Sequence, residues 1–240
     1  MKIQDSVIIV TGASSGIGKA AAQALAGKGA RVILAARRKD LLDELSAQLP
    51  GSAVIVADMA DADSIKALIR KTKDQFGRID ALVNNAGQGI YGAVENVDIG
   101  KYRGVIELNV IGPLIAMQEV VPIMRSQGGG TIVNISSMVS KNYFPYLGAY
   151  ASTKYALNCL SLTARAELEK DNIIVSVMHP TLTETDFGKN AIKSDEVAAG
   201  MESRNREGMP AADTAEQVAE RIVLAIESGK AEVYAHEDME

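Results

Sequence analysis

Directly after an apolar run near the N-terminus, the chain reads Thr11-Gly12-Ala13-Ser14-Ser15-Gly16-Ile17-Gly18. Residues 6–10 before it predict a buried strand, and residues 15–28 predict an amphipathic helix. A glycine-rich turn between strand and helix offers free backbone amides and the positive end of the helix dipole to an anion. Gly12 allows the tight turn, Gly16 lets a pyrophosphate approach, and Gly18 lets helix and strand pack closely. The spacing differs from G-x-G-x-x-G, so the strand-turn-helix context carries most of the signal.

Beyond this turn, short apolar runs alternate with longer amphipathic stretches. Such alternation is typical of a parallel sheet covered on both faces, and right-handed crossovers make the doubly wound open sheet the leading topology. The predicted strands are residues 6–10, 31–36, 53–57, 81–84, 131–136, 173–178 and 232–235. We therefore predict an α/β fold in which residues 1–240 form one Rossmann-like domain with a doubly wound parallel sheet of about seven strands.

The predicted helices are residues 15–28, 39–49, 61–76, 99–126, 150–170 and 214–227. Pro113 lies inside the fourth of these, so we expect a kink there. Residues 187–210 are charged, mixed and weakly periodic, which fits either a mobile lid or a solvated insertion.

Composition restricts the class of protein. Hydrophobic residues make up 47 % of the 240 residues and charged residues 23 %, as in ordinary globular domains. The formal net charge of -5 argues against a nucleic-acid partner. We expect neither a bilayer-spanning run nor a signal peptide, and hence a soluble cytoplasmic protein with no membrane partner. Cys159 is the only cysteine, which excludes an intrachain disulfide, and its apolar neighbours predict a packed thiol. No metal site is predicted.

The end of the second predicted strand carries the next signal. In NAD-binding folds an acidic residue about 20 positions after the glycines binds the ribose 2′-hydroxyl. Here Arg37 and Arg38 follow the strand instead. Guanidinium groups match phosphate geometry, which favours a 2′-phosphate and NADP(H) as the cofactor. A solvated helix start is the alternative, although cations there oppose the helix dipole. Asp58, just after the third strand, could reach the adenine edge or simply cap a helix.

A tyrosine and a lysine four residues apart form the candidate catalytic pair. Tyr150 and Lys154 would share one face of a helix. Because a nearby ammonium favours the phenolate, we expect Lys154 to lower the pKa of Tyr150 and make it a general acid or base. Such a pair by itself is more often structural, so the rest of the chain must support this interpretation.

Two further stretches are open to more than one interpretation. The small residues of Asn84-Asn85-Ala86-Gly87 would let backbone approach a ligand at the carboxyl edge of the sheet, or would form an ordinary turn. The first turn also matches G-x-S-x-G, with Ser14 as a hydrolase nucleophile. This alternative is weak, because only His179 and His236 could serve as base and almost no chain precedes Ser14 to supply an oxyanion loop.

Taken together, the motifs resemble those of the short-chain dehydrogenase/reductase family over most of the chain, from Thr11 to about Asp186. Four motifs carry the resemblance: Thr11-Gly12-x-x-x-Gly16-x-Gly18, Asn84-Asn85-Ala86-Gly87, Asn109 within Glu107-Leu108-Asn109-Val110, and Ser137 with Tyr150-x-x-x-Lys154. The resemblance implies reversible hydride transfer between NADP(H) and a small-molecule carbonyl or alcohol.

The family also implies roles for individual residues. Tyr150 would be the general acid in reduction, and Lys154 would lower its pKa and bind the nicotinamide ribose. Ser137 would polarise the carbonyl, and Asn109 would anchor a water that links Lys154 to solvent. The implied cofactor groove comprises Gly12, Ser14, Ser15, Gly16, Ile17, Gly18, Arg37, Arg38, Asp58, Met59, Asn85, Ala86, Gly87, Tyr150, Lys154 and Thr185.

Three expectations complete the sequence-based picture. The substrate pocket would involve residues 88–91, residues 138–144 and the lid at residues 187–210. Homodimers or homotetramers would form through the two long helices. Thr181 stands where the family usually has glycine, which could reshape the nicotinamide pocket. A binding protein that senses a dinucleotide without turnover is the main alternative function.

Overall fold

A computed structural model describes residues 1–202, 211–236 and 239. Its strands are β1 (Val7–Thr11), β2 (Arg31–Ala36), β3 (Ala53–Val56), β4 (Ala81–Asn84), β5 (Ile90–Tyr91), β6 (Gly130–Ile135), β7 (Ile173–His179), β8 (Ile192–Lys193) and β9 (Glu232–Tyr234). Seven of them form one sheet in the order β3-β2-β1-β4-β6-β7-β9, and every pair in it is parallel. The predicted seven-stranded doubly wound sheet is thus confirmed, and no strand end differs from its prediction by more than one residue.

Helices cover both faces of this sheet. They are α1 (Gly16–Gly27), α2 (Lys39–Ser46), α3 (Ala62–Phe76), α4 (Ile99–Ile106), α5 (Gly112–Ser126), α6 (Gly148–Leu168), α7 (Asp195–Glu202) and α8 (Ala215–Ser228). Side chains alternate along a strand, so Ile8 of β1 packs in the core with α1 and α8, whereas Ile9 packs with α3 and α5. This two-sided burial explains why the strands are apolar throughout.

The strand order reverses between β1 and β4, which run side by side. In open parallel sheets this switch point leaves a crevice beyond the carboxyl ends of the strands. The glycine-rich turn follows β1, and Asn84 ends β4. Both stretches therefore border the crevice.

The long helix predicted over residues 99–126 is interrupted by one π-helical turn. That turn, Glu107–Ile111, separates α4 from α5. Pro113 has no amide hydrogen to donate to the carbonyl of Asn109, four residues earlier, which favours a break in the α-helical pattern there. The proline was the right signal, but the distortion begins six residues before it.

A small second sheet was not predicted. β5 and β8 form a parallel pair in which Ile90 lies opposite Ile192 and Tyr91 opposite Lys193. Strands of two residues give no periodic signal in sequence. The pair holds the first part of the predicted lid against the chain that follows β4. Residues 203–210 of that predicted lid lie outside the described residues.

Two expectations about surfaces need correction. Cys159 is exposed, because its position on α6 points away from the sheet that buries Leu157 and Asn158. The continuous helical run Ile99–Ser126 is, by length and apolar composition, able to cross a bilayer, contrary to the expectation that no such run exists. Ala116, Met117 and further side chains of α5 lie in the core beneath the sheet, which accounts for much of that apolar composition.

Candidate active site

The candidate catalytic pair lies at the start of α6. Tyr150 and Lys154 are one turn apart and only 7 % and 4 % exposed. The Lys154 ammonium donates to the carbonyl of Ile135, the last residue of β6, at 2.8 Å, and Nζ lies 5.8 Å from the centre of the Tyr150 ring. Ser137 follows β6 by two residues, and its hydroxyl is close enough to Tyr150 to lower the pKa of the phenol. The structure thus brings these three side chains together where β6 meets α6.

Asn109 joins this group from the π-helical turn. It is 1 % exposed, and its side chain exchanges two 2.9 Å hydrogen bonds with the backbone of Gln88. Its Nδ2 also donates to the hydroxyl of Thr153, at 3.1 Å. A side chain at Gly87 would lie 3.3 Å from Asn109 Oδ1 and 3.7 Å from Lys154 Nζ, so both polar groups border the same narrow space. π-helical turns often occur at functional sites, and here the turn presents Asn109 to the chain after β4.

The acidities differ from the sequence-based expectation. Burial raises the pKa of Tyr150, the nearby phenol of Tyr91 raises it further, and the Ser137 hydroxyl opposes part of the rise. Burial also lowers the pKa of Lys154, to about 8. In the protein alone, therefore, Lys154 does not lower the pKa of Tyr150. The reason is that desolvation dominates, and the ammonium is bonded to a carbonyl rather than to the phenol.

The glycine-rich turn forms one wall of the crevice. Gly12 and Gly16 have φ values of +67° and +52°, the left-handed region that favours glycine. A side chain at Gly12 would lie 2.8 Å from Asn85 Nδ2, and one at Gly18 would meet the carbonyl of Gly12. The side chain of Asn85 donates to the carbonyl of Thr11 at 2.9 Å, so the turns after β1 and β4 are held against each other.

The start of α1 suits an anion. Ser15 is the N-cap, but its side chain accepts no hydrogen bond from the first-turn amides, and no acidic residue lies in that turn. Those amides and the helix dipole remain available to a phosphate. The chemistry of this wall fits the pyrophosphate of a dinucleotide.

Arg38 lies directly over the same turn. Its guanidinium donates to the hydroxyls of Ser14 and Ser15, in each case at 2.8 Å. Arg37 is exposed beside it. Arg38 is therefore held at the turn by Ser14, the residue proposed as nucleophile in the hydrolase alternative, whereas Arg37 is placed only as its exposed neighbour in sequence.

The remaining predicted groove residues have mixed outcomes. The carboxylate of Asp58 accepts from the amide of Ala60 at 2.9 Å, within the turn before α3. The N-cap of α3 is Asp61, so Asp58 does not have the helix-capping role considered as its alternative. The Met59 side chain lies in the core, which leaves only its backbone to border a ligand. Thr185 touches the glycine-rich turn, because a side chain at Gly16 would lie 3.0 Å from its methyl group. Ile17, in the first turn of α1, packs partly into the core.

Aromatic rings enclose Tyr150 on the substrate side. The ring of Phe187 lies 5.7 Å from that of Tyr150, and Tyr91 of β5 makes an edge contact at 6.2 Å. Both fall within segments predicted to form the pocket. Tyr143 and Phe144 do not serve as expected: they are 91 % and 50 % exposed, so they cannot form an enclosed apolar wall.

The histidines do not assemble a hydrolase. The buried ring of His179 shares a 3.0 Å hydrogen bond with Glu232. His236 lies 3.1 Å from the carboxylate of Asp213. Within the described part of the chain, neither contacts Ser14.

Thr181, the departure from the family pattern, also bonds to Asp213 through its hydroxyl. The side chain ties the segment after β7 to the chain that precedes α8. Its position in sequence could not reveal this partner, which is 32 residues away.

Comparison with known proteins identifies the family. Residues 6–196 match the family model described as short chain dehydrogenase. The chain is 33 % identical to mouse dehydrogenase/reductase SDR family member 7B over 229 residues, which cover 92 % of this chain and 71 % of that protein.

Solved structures agree with this match. A short-chain dehydrogenase from Streptomyces avermitilis superposes with a TM-score of 0.87 at 32 % identity, over 99 % of this chain and 90 % of that one. An alcohol dehydrogenase from Thermococcus sibiricus, complexed with 5-hydroxy-NADP, superposes with a TM-score of 0.81 at 27 % identity. The match covers 93 % of this chain and 91 % of that one. A short chain dehydrogenase/reductase from Burkholderia phymatum in complex with NAD superposes with a TM-score of 0.89 at 24 % identity, over 100 % of this chain and 92 % of that one. At this identity the similarity supports only the shared fold. This chain therefore belongs to the short-chain dehydrogenase/reductase family of oxidoreductases.

Proposed function

We propose that the protein is an NADP(H)-dependent oxidoreductase that interconverts a small-molecule carbonyl compound and its alcohol. The observation that carries this proposal is the meeting of Tyr150, Lys154, Ser137 and Asn109 beside the glycine-rich turn. These side chains come from α6, the chain after β6 and the π-helical turn, and they meet at the edge of the sheet where such folds bind ligands.

The bound dinucleotide would supply the hydride, and the protein would position the carbonyl and provide the proton. Tyr150 is suited to the acid role in reduction, because its raised pKa keeps the phenol protonated at neutral pH. Ser137 is placed to donate a hydrogen bond to the carbonyl oxygen and to stabilise the charge that develops there. Lys154, with a pKa of about 8, is mainly cationic at neutral pH and would favour the phenolate left after proton transfer.

The preference for NADP(H) rests on Arg37 and Arg38. Arginines rather than a carboxylate directly follow β2, and Arg38 is held over the turn by Ser14 and Ser15. A guanidinium at this position can bind a 2′-phosphate through two parallel hydrogen bonds, whereas a ribose hydroxyl offers it much less. The complex of the Thermococcus sibiricus enzyme with 5-hydroxy-NADP is consistent with this choice.

Turnover is the direct test. Incubation with NADPH and a panel of ketones, aldehydes and quinones should oxidise the nucleotide, measured by loss of reduced-nicotinamide absorbance, and NADH should support slower turnover. Binding of NADPH with no turnover across the panel would favour a dinucleotide-sensing protein. Equal turnover with NADH would contradict the assignment of the two arginines.

A further inference from the structure

Tyr91 brings a second phenol to the candidate active site. It lies on β5, and its ring meets that of Tyr150 nearly edge-on, with the two planes 76° apart. The ring centres are 6.2 Å apart, and the nearby Tyr91 phenol raises the pKa of Tyr150. No motif of the family resemblance includes Tyr91.

The Tyr91 hydroxyl occupies space that is open because residue 89 is a glycine. A side chain at Gly89 would lie 3.1 Å from this hydroxyl and 3.2 Å from the ring of Phe187. The surroundings are held in place, because the amide of Ile192 donates to the Gly89 carbonyl at 2.9 Å and that of Ser194 to the Tyr91 carbonyl at 2.9 Å. The hydroxyl therefore lies in the small space beside Gly89 and Phe187, and both the Tyr91 and Phe187 rings contact that of Tyr150.

This hydroxyl is available to a ligand. Among the residues described by the structure, it has no hydrogen-bond partner, whereas the hydroxyl of the nearby Tyr102 is bonded to that of Ser152 at 2.6 Å. Burial raises the pKa of Tyr91, so the group is a hydrogen-bond donor at neutral pH. Tyr91 is half-buried, and its hydroxyl is not among the fully buried atoms without a partner, so it retains access to solvent and to a ligand.

A simple ketone cannot satisfy all the donors gathered here. A carbonyl oxygen has two lone pairs. In the proposed function those lone pairs accept from Ser137 and Tyr150. A third donor, Tyr91, then needs an acceptor on another atom of the substrate, close to the reacting carbonyl.

We propose that Tyr91 is a specificity-determining residue that favours carbonyl substrates with a second oxygen beside the reacting carbonyl, such as vicinal diketones. The inference rests on the proposed function. A substrate without the second oxygen leaves the Tyr91 hydroxyl desolvated and unpaired, and sites built around a hydrogen bond discriminate strongly against such substrates.

The test compares 2,3-hexanedione with 3-hexanone at saturating NADPH, in the wild type and in Tyr91→Phe. The substitution keeps the ring and removes only the hydroxyl. The kcat/KM ratio of diketone to monoketone is expected to fall about tenfold or more in the variant, because the diketone loses a hydrogen bond and the monoketone does not. Comparing this ratio between the wild type and the variant cancels the greater intrinsic reactivity of the diketone.

Tyr102→Phe is the matched control, since it removes a partnered hydroxyl from the same apolar cluster around Tyr150. It should leave the ratio unchanged. An unchanged ratio in Tyr91→Phe, or an equal fall in Tyr102→Phe, would overturn the assignment of Tyr91 while the proposed function stands. A wild type that turns over neither ketone, nor any member of the wider carbonyl panel, would overturn the proposed function and this inference together.

Discussion

At the scale of single residues, the hydroxyl of Tyr150 is the most informative atom to remove. If it is the proton donor, Tyr150→Phe should lower kcat by about 10²- to 10⁴-fold, the usual contribution of a general acid. Nucleotide affinity should persist, because the glycine-rich turn and the arginines are untouched. Steady-state kinetics and NADPH fluorescence titration would measure the two effects.

Tyr155→Phe provides a control on the same helix. That side chain is exposed and stacks on Tyr143 instead of facing the site. Its loss should leave kcat close to that of the wild type. Near-normal turnover by Tyr150→Phe would refute its role in proton transfer.

The lowered pKa of Lys154 predicts how the free energy of unfolding changes with pH. Its pKa falls from the unfolded value of 10.5 to about 8 in the fold. Between these pH values the unfolded chain binds the proton and the folded chain does not, so the free energy of unfolding rises with pH in this window. The contribution is up to ~3 kcal/mol at 1.36 kcal/mol per pKa unit.

Lys154→Met removes the titrating group and keeps most of the side-chain volume. Denaturant unfolding of both proteins at several pH values should show the wild type gaining stability relative to the variant from about pH 8 to 10.5. Parallel stability curves in that range would mean that the buried ammonium does not titrate as the structure indicates.

At the scale of elements, the sequence predicted regular structure well and irregular structure poorly. The strand from Arg31 to Ala36 was predicted with the observed bounds, because a buried parallel strand is apolar throughout. The only sequence signal for the π-helical turn was Pro113, and a proline indicates that a helix is distorted without specifying the kind of distortion. The position of Asn109 depends on that turn, so its role could be expected from the family motif but not its geometry.

A substitution at Gly112 tests whether close packing against the chain after β3 holds the π-helical turn in place. A side chain there would strike the carbonyl of Met59 in the chain after β3. Because the obstacle is backbone, Gly112→Ala should destabilise the protein by about 1–3 kcal/mol, as overpacked sites do. Activity should fall as well if the turn that carries Asn109 shifts.

Gly104→Ala is the contrasting change in α4. No atom of the described residues lies within 4 Å of a side chain added at that position. Replacing a helical glycine by alanine should then stabilise the protein by about 0.5–1 kcal/mol. Chemical unfolding of the two variants should therefore give shifts of opposite sign, and shifts of the same sign would show that the approach to Met59 is not tight.

At the scale of the whole molecule, the sequence predicted the site's members better than their electrostatics. The family motifs indicated Ser137, Tyr150 and Lys154, and the fold brings them together. The direction of the Tyr150 pKa was wrong, because it depends on how deeply packing buries the phenol and on Tyr91, which comes from an unpredicted strand. Helical spacing fixes which residues are neighbours, but desolvation depends on the assembled fold.

The candidate nucleotide crevice joins distant parts of the chain: the turn after β1, Arg38, the turn after β4 and Thr185. A ligand that binds only when these parts are assembled stabilises the entire fold by mass action. At a concentration 100 times Kd, the gain is about 2.7 kcal/mol. NADPH should therefore raise the melting temperature more than NADH at equal concentration.

The double variant Arg37→Ala/Arg38→Ala identifies the source of that difference. Without the guanidinium groups the 2′-phosphate loses its partners, so the NADPH shift should decrease to the size of the NADH shift. Arg31→Ala is the matched control, because Arg31 is an exposed cation at the opposite end of the same strand, β2. The Arg31→Ala variant should still show a larger increase in melting temperature with NADPH than with NADH. If the double variant loses its NADPH and NADH shifts in equal proportion, the arginines support the turn itself, and the 2′-phosphate must be bound by other residues.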